Sequence, residues 1–152
     1  MNKLSNRICE RYEPTIGVDF TIKTIQCISN EKEETVRIHV WDTSGEERYD
    51  KITRSYFRGA HSFAIMFNIN QIESFEKCKK IINEINEIAY GNPAVILIGN
   101  QIGQSREVSF DEAVEFAYQH DIAYYEVSGD MTDAEIYLRK LVQLIFINQE
   151  NE

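Results

Sequence analysis

The stretch SFAIMFNINQIESFEKCKKIINEINEIAYGNPAVILI, residues 62–98, decides the fold of this chain. Its first part is almost entirely apolar, which predicts a strand buried on both faces over 62–69. Apolar side chains then recur every third or fourth residue up to Tyr90, which predicts a long amphipathic helix. The sequence Gly-Asn-Pro at 91–93 ends that helix, and residues 94–98 read as another buried strand. This order favours a parallel sheet covered by helices.

Upstream of this unit, the sequence predicts a hairpin followed by a helix. Residues 17–29 are rich in Val, Ile, Thr and Phe, which favours a strand. Residues 30–34 form a polar turn, and 35–41 alternate apolar with polar side chains, as in a second strand paired with the first. The polar stretch 46–58 has its apolar residues at helical spacing, and Gly59 ends that helix.

Downstream, the sequence predicts helix, strand and helix. Ser109 begins the first helix with Glu112 three residues later, which is a capping box. Residues 122–127 read as a strand, and 133–147 as the final helix. The side chains expected to face the core are Phe110, Ala113, Val114 and Ala117 in the first helix, and Ile136, Leu141, Leu144 and Ile145 in the second.

The composition bounds the class of protein. With 152 residues, 43% hydrophobic and 27% charged, we expect a single globular domain over 1–152. No apolar stretch is long enough for a membrane span, and the first ten residues have no apolar signal-peptide core. Residues 1–80 carry 13 basic and 12 acidic side chains, whereas 81–152 carry 3 and 13. This acidic surplus disfavours nucleic acid and anionic membranes as partners.

Ligands of parallel sheets bind beyond the carboxyl ends of the strands, so two loops are informative. After Trp41 comes Asp42, a carboxylate that can hold Mg²⁺ through water, and Gly45 allows its N–H to approach a phosphate closely. Asp-x-x-Gly by itself also occurs in ordinary turns. Asn100 follows the strand at 94–98 and can bond a base edge, although asparagine is common in turns as well.

Taken together, ordered segments of this chain resemble a small GTPase of the Ras superfamily, and the Rab branch in particular. The segments are TIGVDF (15–20), WDTSG (41–45), SYFRGA (55–60), IGN (98–100) and EVS (126–128). The resemblance covers nearly the whole chain, from Tyr12 to Ile145. It implies an α/β fold, the three-layer sheet of the P-loop NTPases.

The resemblance assigns nucleotide-site roles, with Mg²⁺ and GTP or GDP as the implied ligands. Thr15 matches the threonine that ligates Mg²⁺, and Asp42 the aspartate that holds the Mg²⁺ shell. Gly45 matches the glycine whose N–H meets the γ-phosphate. Asn100 matches the asparagine of the guanine motif, and Ser128 with Gly129 matches the loop beside the base.

The resemblance also implies Rab-type effectors or regulators as partners of the switch and interswitch surface. Phe20, Trp41 and Tyr56 match the aromatic cluster that Rab proteins show to effectors. The alternative is that these rings pack the hairpin against the following helix. No oligomeric interface is implied, so we expect a monomer.

The family's first strand and phosphate loop have no match in these residues. The 152 residues contain no G-x-x-x-x-G-K-[ST], and no glycine precedes Lys3. In the family that strand lies between the strand ending at Trp41 and the one at 62–69. Losing about five buried side chains removes about 10 kcal/mol, comparable with the ~5–15 kcal/mol that stabilises a whole domain. We therefore expect an N-terminally truncated domain that is marginally stable or unfolded.

Other positions depart from the family pattern within the chain. Glu46 stands where the family has the glutamine that orients the attacking water, and it adds negative charge beside the γ-phosphate. The guanine motif N-K-x-D reads Asn-Gln-Ile-Gly, with Gln101 for the lysine and Gly103 for the aspartate, and Asp130 replaces a further lysine. We expect weak nucleotide binding, negligible GTP hydrolysis and reduced preference for guanine.

Three functions stay open at this stage. The first is a GTP-hydrolysing switch in vesicle traffic, impaired in this chain. The second is a pseudo-GTPase that keeps the effector surface without a nucleotide cycle, and the third is a non-functional gene fragment. The residues after Cys78 include no cysteine for a lipid anchor, so we expect a cytoplasmic protein. The three histidines show no metal spacing, and Cys27 and Cys78 are expected to be packing thiols.

Overall fold

The computed structural model describes residues 14–29, 32–128 and 134–150. The strands are β1 (Val18–Ser29), β2 (Lys32–Thr43), β3 (Ser62–Asn68), β4 (Ala94–Gln101) and β5 (Ala123–Ser128). The helices are α1 (Asp50–Ser55), α2 (Ile72–Ile88), α3 (Phe110–Gln119) and α4 (Ala134–Glu150). Short 3₁₀ turns, Glu47–Tyr49 and Phe57–Gly59, flank α1. No helix among the described residues has the length and apolar character needed to cross a bilayer.

The predicted hairpin is confirmed, but its turn is shorter than expected. β1 and β2 pair antiparallel over their whole length, from Val18 opposite Thr43 to Ser29 opposite Lys32. The charged residues after Lys32, expected in a turn, therefore belong to β2. Their side chains are exposed, so the backbone hydrogen bonds of the hairpin extend the strand without any apolar alternation. Asn30 and Glu31 lie outside the described residues.

The predicted helix over 46–58 is broken into three short pieces. Neither the first 3₁₀ turn nor α1 has a side-chain cap at its N-terminus. Uncapped helix ends leave backbone donors without intrahelical partners, which shortens a helix of this size. Gly59 lies inside the last 3₁₀ turn and does not follow it.

The second sheet is parallel, in the order β3–β4–β5, as the strand and helix pattern predicts. Leu97 of β4 faces α2 and α3, whereas its neighbours Ile96 and Ile98 face α4. The three layers are thus two helices, the sheet and one helix. The main core on the α2 side comprises Phe57, Ile65, Phe67, Ile69, Phe75, Cys78, Ile82, Ile85, Leu97, Val108, Ala113 and Ala117.

Two expectations about strands were wrong. β3 is buried on one face only, because Ala64 and Met66 are exposed. In the described part of the chain β3 is an end strand of its sheet and is not hydrogen-bonded to β2. β4 runs past the predicted end at residue 98, to Gln101. Only glycine fits at position 99, because a Cβ there would lie 2.6 Å from Tyr124 Oη and 2.9 Å from Ile69 Cγ2.

The helix faces were partly mispredicted. Ser109 caps α3 as expected, since its Oγ accepts a hydrogen bond from the Glu112 N–H at 3.1 Å. Phe110 and Val114, however, are exposed, and α3 turns its two alanines to the core. Small side chains allow the helix to lie close to the sheet, which rotates the larger ones outward. Ile136 of α4 is likewise exposed, and the expected first residue of that helix, Asp133, lies outside the described residues.

Candidate functional site

The end of β2 and the segment before β1 meet at a pair of polar side chains. Thr15 Oγ1 donates a hydrogen bond to Asp42 Oδ2 at 3.0 Å. The backbone of Gly17 has φ +73°, which permits the tight bend before β1. The Ser44 N–H donates to the Gly17 carbonyl at 2.8 Å and so ties the two segments together. The structure thereby brings together two residues that lie 27 positions apart in sequence.

A cavity of about 380 Å³ lies beside this pair. It is lined by Pro14, Thr15, Asp42, Thr43, Ser44, Gly45 and Glu46. Gly45 is exposed, and nothing lies within 4 Å of the position that a Cβ would take there. All four residues predicted for the phosphate end, Thr15, Asp42, Gly45 and Glu46, therefore line one cavity.

Lys77 of α2 joins this loop to the parallel sheet. Its Nζ donates to the Gly45 carbonyl oxygen at 2.5 Å and lies 3.7 Å from Asp50 Oδ1. Because α2 begins directly after the carboxyl end of β3, this contact places the Gly45 loop at the ligand-binding edge of the sheet. Nothing in the sequence pattern distinguished Lys77 from the neighbouring lysines of α2.

The oxygen atoms at this cavity suit a hard cation. A threonine hydroxyl and an aspartate carboxylate are ligands that Mg²⁺ accepts, and Mg²⁺ usually completes its shell with water and phosphate oxygens. In the described ranges no group of three or more His, Cys, Asp or Glu side chains could hold a metal ion by itself. Thr15 and Asp42 therefore fit Mg²⁺ that arrives with a phosphate ligand.

Glu46 is paired with Arg48, which sequence analysis did not single out. Arg48 Nε lies 2.8 Å from Glu46 Oε2, and Arg48 Nη2 donates to Oε1 at 3.1 Å. This hydrogen bonding to a carboxylate raises the pKa of Arg48 above its ordinary value. The guanidinium also lies over the Tyr49 ring, 4.9 Å from its centroid. The carboxylate at the glutamine position thus has both oxygens engaged by a cation.

The residues predicted for the base end lie at the ends of neighbouring strands. Asn100 pairs with Val127, and Gln101 with Ser128, in the parallel register of β4 and β5. Asn100 Oδ1 is buried and has no hydrogen-bond partner among the described residues. Gly129 and Asp130 lie outside the described residues.

A second asparagine, Asn70, fixes the loop after β4. Its Oδ1 accepts hydrogen bonds from the N–H groups of Ile102 at 3.2 Å and Gly103 at 3.0 Å. Its Nδ2 is buried without a partner in the described part of the chain. Gly103 therefore contributes backbone only, where the family motif has a carboxylate that accepts hydrogen bonds from guanine.

A hydrogen-bonded triad supports the start of the last predicted loop. Arg106 binds Glu126 through Nη1 at 2.9 Å and Nη2 at 2.7 Å, and the Tyr124 hydroxyl donates to the same carboxylate at 2.6 Å. The Arg106 hydrogen bonds lower the pKa of Glu126. Burial and the Glu126 contact raise the pKa of Tyr124. Arg106 also donates to the Val108 carbonyl, so the triad links β5 to the segment before α3.

The aromatic cluster predicted at the hairpin is present at the surface. The Phe20 and Trp41 rings, opposite each other in β1 and β2, have centroids 4.5 Å apart. Trp41 lies 4.8 Å from the Tyr56 ring, which follows α1. Phe20 is 43% exposed and Trp41 47%. The rings contact one another, as the packing alternative requires, yet they remain accessible to a partner.

The amino-acid sequence is similar to proteins of a known family. A family model described as "Ras family" matches residues 2–145. The chain is 35% identical over 126 residues to Ras-related protein RabC of Dictyostelium discoideum, covering 82% of this chain and 63% of the relative. It is 39% identical over 134 residues to Ras-related protein Rab-1 of Theileria parva, covering 86% and 59%. With GTP-binding protein YPT1 of Saccharomyces cerevisiae it shares 38% identity over 127 residues, covering 82% and 60%. The chain spans about three fifths of the length of these relatives.

Proposed function

This chain belongs to the Ras family of small GTPases and is Rab-like, and on that premise we propose that it serves in vesicle traffic as a cytoplasmic switch protein with an impaired nucleotide site. The observation that carries the proposal is the Thr15–Asp42 hydrogen bond at the mouth of the cavity that Gly45 also lines. The two residues that would hold Mg²⁺ therefore line the same cavity as the glycine that would meet a phosphate.

The chain's own residues have defined tasks in this proposal. Thr15 and Asp42 would hold Mg²⁺ or its water shell, and that charge would offset the negative charge on the phosphates of GTP or GDP. Gly45, with nothing within 4 Å of the position of a Cβ, would offer its N–H to a phosphate, while Lys77 holds the carbonyl of the same residue. Asn100, at the end of β4, would bond the base with its side-chain amide.

The impairment follows from two replacements. Glu46 adds a carboxylate next to the phosphate site, and its charge is only partly offset because both partners of the Glu46–Arg48 pair are largely exposed. Gly103 removes the acceptor that would select guanine, so the site distinguishes GTP from ATP poorly. We therefore propose weak Mg²⁺-GTP binding and very slow hydrolysis. Effectors or regulators would contact the aromatic cluster of Phe20 and Trp41, which are exposed, and Tyr56, which is half-buried.

Thermal unfolding with and without nucleotide tests this proposal. A ligand that binds only the folded state stabilises it by RT ln(1 + [L]/Kd), about 1.4 kcal/mol at ten times Kd. We expect millimolar Mg²⁺-GTP to raise the Tm, and Asp42→Asn to abolish the rise. The matched control is Asp19→Asn, since Asp19 lies opposite Asp42 in the hairpin and its Oδ1 accepts from the Phe20 N–H. A Tm that does not respond to Mg²⁺-GTP would rule out the switch.

A pseudo-GTPase is the second candidate function. It is favoured by the pairing of Glu46 with Arg48, which occupies both oxygens of the carboxylate at the catalytic position. Under this alternative the aromatic cluster binds its partner equally with and without nucleotide. A flat thermal response combined with loss of partner binding in Trp41→Ala would support it. Absence of any soluble protein in the source cell would instead indicate a non-functional gene fragment.

A further inference from the structure

Helix α3 exposes a continuous stripe of large apolar side chains. Phe110, Val114 and Tyr118 are 53%, 39% and 82% exposed. They follow one another at intervals of four residues, so their side chains are neighbours on one side of the helix. The Phe110 ring lies 5.8 Å from the Tyr124 ring, which extends the stripe from α3 onto β5.

The stripe contributes little to the core of the domain. α3 is anchored to the main core by Ala113 and Ala117, which are buried. Single apolar residues on a surface are ordinary, but a contiguous exposed patch is typical of an interaction site. The stripe consists of three such residues on one regular helix, at a distance in the fold from the Thr15–Asp42 cavity and the hairpin aromatics.

The surface around the stripe is strongly acidic. Residues 107–121, which include the whole of α3, contain five Asp or Glu residues and no Lys or Arg. Asp111 and Glu115 are exposed and each follows a stripe residue directly in sequence, so they lie along one side of the stripe. On the far side of these two, Glu112 is engaged with Lys79 of α2, whose Nζ is 3.8 Å away. The acidic border next to the stripe therefore offers carboxylates to an incoming partner.

We propose that the α3 stripe binds an amphipathic helix of a partner protein that carries Lys or Arg beside its apolar face. Apolar side chains of such a helix would cover Phe110, Val114 and Tyr118, and its cations would meet Asp111 and Glu115. A second copy of this chain is a poorer occupant, because a symmetric contact would bring identical acidic borders together. The proposal concerns a surface outside the nucleotide site and does not depend on nucleotide binding.

The test measures binding of synthetic peptides to the whole 152-residue chain. The probe is a fluorescein-labelled 18-residue peptide of Leu and Lys in a helical amphipathic pattern, followed by fluorescence anisotropy. One control peptide has the same composition in scrambled order, and another has Glu in place of Lys. We expect the patterned Leu/Lys peptide to bind about tenfold more tightly than either control.

Matched variants locate the site. We expect Tyr118→Ser to weaken binding about tenfold, and the double variant Asp111→Asn/Glu115→Asn to weaken it about as much. Tyr90→Ser is the apolar control, because Tyr90 is 72% exposed and lies beyond the end of α2. Glu33→Gln/Glu34→Gln is the charge control, on the exposed part of the hairpin. Both controls should leave binding unchanged. Since Tyr118 is among the most exposed residues, its replacement should not affect folding, which far-UV circular dichroism checks.

Several results would overturn the proposal. Equal binding of the scrambled peptide would show attraction by charge alone, and equal binding of the Glu peptide would remove the argument from complementarity. If Tyr90→Ser or Glu33→Gln/Glu34→Gln weakened peptide binding as much as the α3 variants do, the site would lie elsewhere. Concentration-dependent self-association that Tyr118→Ser abolishes, without peptide binding, would assign the stripe to a second copy of the chain.

Discussion

Arg48 holds both carboxylate oxygens of Glu46, with Nε 2.8 Å from Oε2 and Nη2 3.1 Å from Oε1. A carboxylate placed beside a phosphate site repels the ligand, and a guanidinium bound to it reduces that repulsion. Glu46 is therefore unfavourable for phosphate binding, and Arg48, two residues later, partly compensates for its charge.

This pairing predicts the effect of three variants on affinity for Mg²⁺-GTP. Arg48→Gln should weaken binding up to about fivefold at low salt, a size set by the ~0.2–1 kcal/mol of exposed ion pairs. Glu46→Gln should strengthen it, and Glu46→Gln/Arg48→Gln should cancel most of the Arg48→Gln effect. Titration with a fluorescent GTP analogue measures these affinities. An Arg48→Gln effect that persists at high salt would contradict an electrostatic origin.

Lys77 should order the loop between Gly45 and Asp50. Lys77→Met removes the ammonium that donates to the Gly45 carbonyl and lies 3.7 Å from Asp50. We expect faster amide hydrogen exchange over residues 45–50 with little change in global stability, because this contact is on the surface. Lys80→Met on the same helix is the matched control, since Lys80 is exposed. Equal exchange in both variants would argue against this role of Lys77.

The Glu126 triad should make stability depend on pH in the acidic range. Arg106 and Tyr124 stabilise ionised Glu126, so its pKa in the folded state is below the ordinary value of 4.5. The stabilisation is complete above that ordinary value and is lost as the pH falls towards the lower folded pKa. Urea unfolding from pH 3 to 6 should therefore show a smaller acid-dependent loss in Glu126→Gln than in the parent chain. An unchanged pH profile in Glu126→Gln would exclude the triad as the source.

Gly99 should tolerate no side chain. A Cβ would lie 2.6 Å from Tyr124 Oη and 2.9 Å from Ile69 Cγ2, so Gly99→Ala should destabilise the fold by about 1–3 kcal/mol. In a Tyr124→Phe background, which already lacks this nearest atom and its hydrogen bond to Glu126, Gly99→Ala should cost less. Gly45→Ala is the control, because nothing lies within 4 Å of a Cβ there. Chemical denaturation measures the free energy of unfolding of each variant. Equal destabilisation by Gly99→Ala and Gly45→Ala would refute a steric cost specific to position 99.

Local sequence signals predicted most of the helices and strands. The alternation of strands and helices predicted the parallel sheet, and Ser109 predicted the start of α3. The outward position of Phe110 was not predicted, because the stripe it forms with Val114 has the same helical spacing as a buried face. The face that α3 turns to the core is the one with Ala113 and Ala117, and this choice depends on packing against the neighbouring sheet.

Within the candidate site, residues with family roles were predicted and their supports were not. Thr15 and Asp42, which the family resemblance assigns to Mg²⁺, lie within hydrogen-bond distance of each other, and their roles stay a prediction. The supporting contacts are made by Arg48, Lys77 and Asn70. Those of Lys77 and Asn70 join residues about 30 positions apart, which only the folded chain brings together. Common side chains such as lysine carry no local signal for a contact of that range.

The separation of the hairpin from the parallel sheet has a consequence for the order of unfolding. In the described part of the chain β2 and β3 share no backbone hydrogen bonds, and the hairpin is joined to the other elements by contacts such as that of Arg139 with the Gln26 carbonyl. Side-chain contacts of this kind break more readily than the backbone hydrogen bonds between strands of one sheet. β4, by contrast, is covered by helices on both faces. We therefore expect the hairpin to open before β3, β4 and β5 do, so amide hydrogen exchange should be faster in β1 and β2 than in β4.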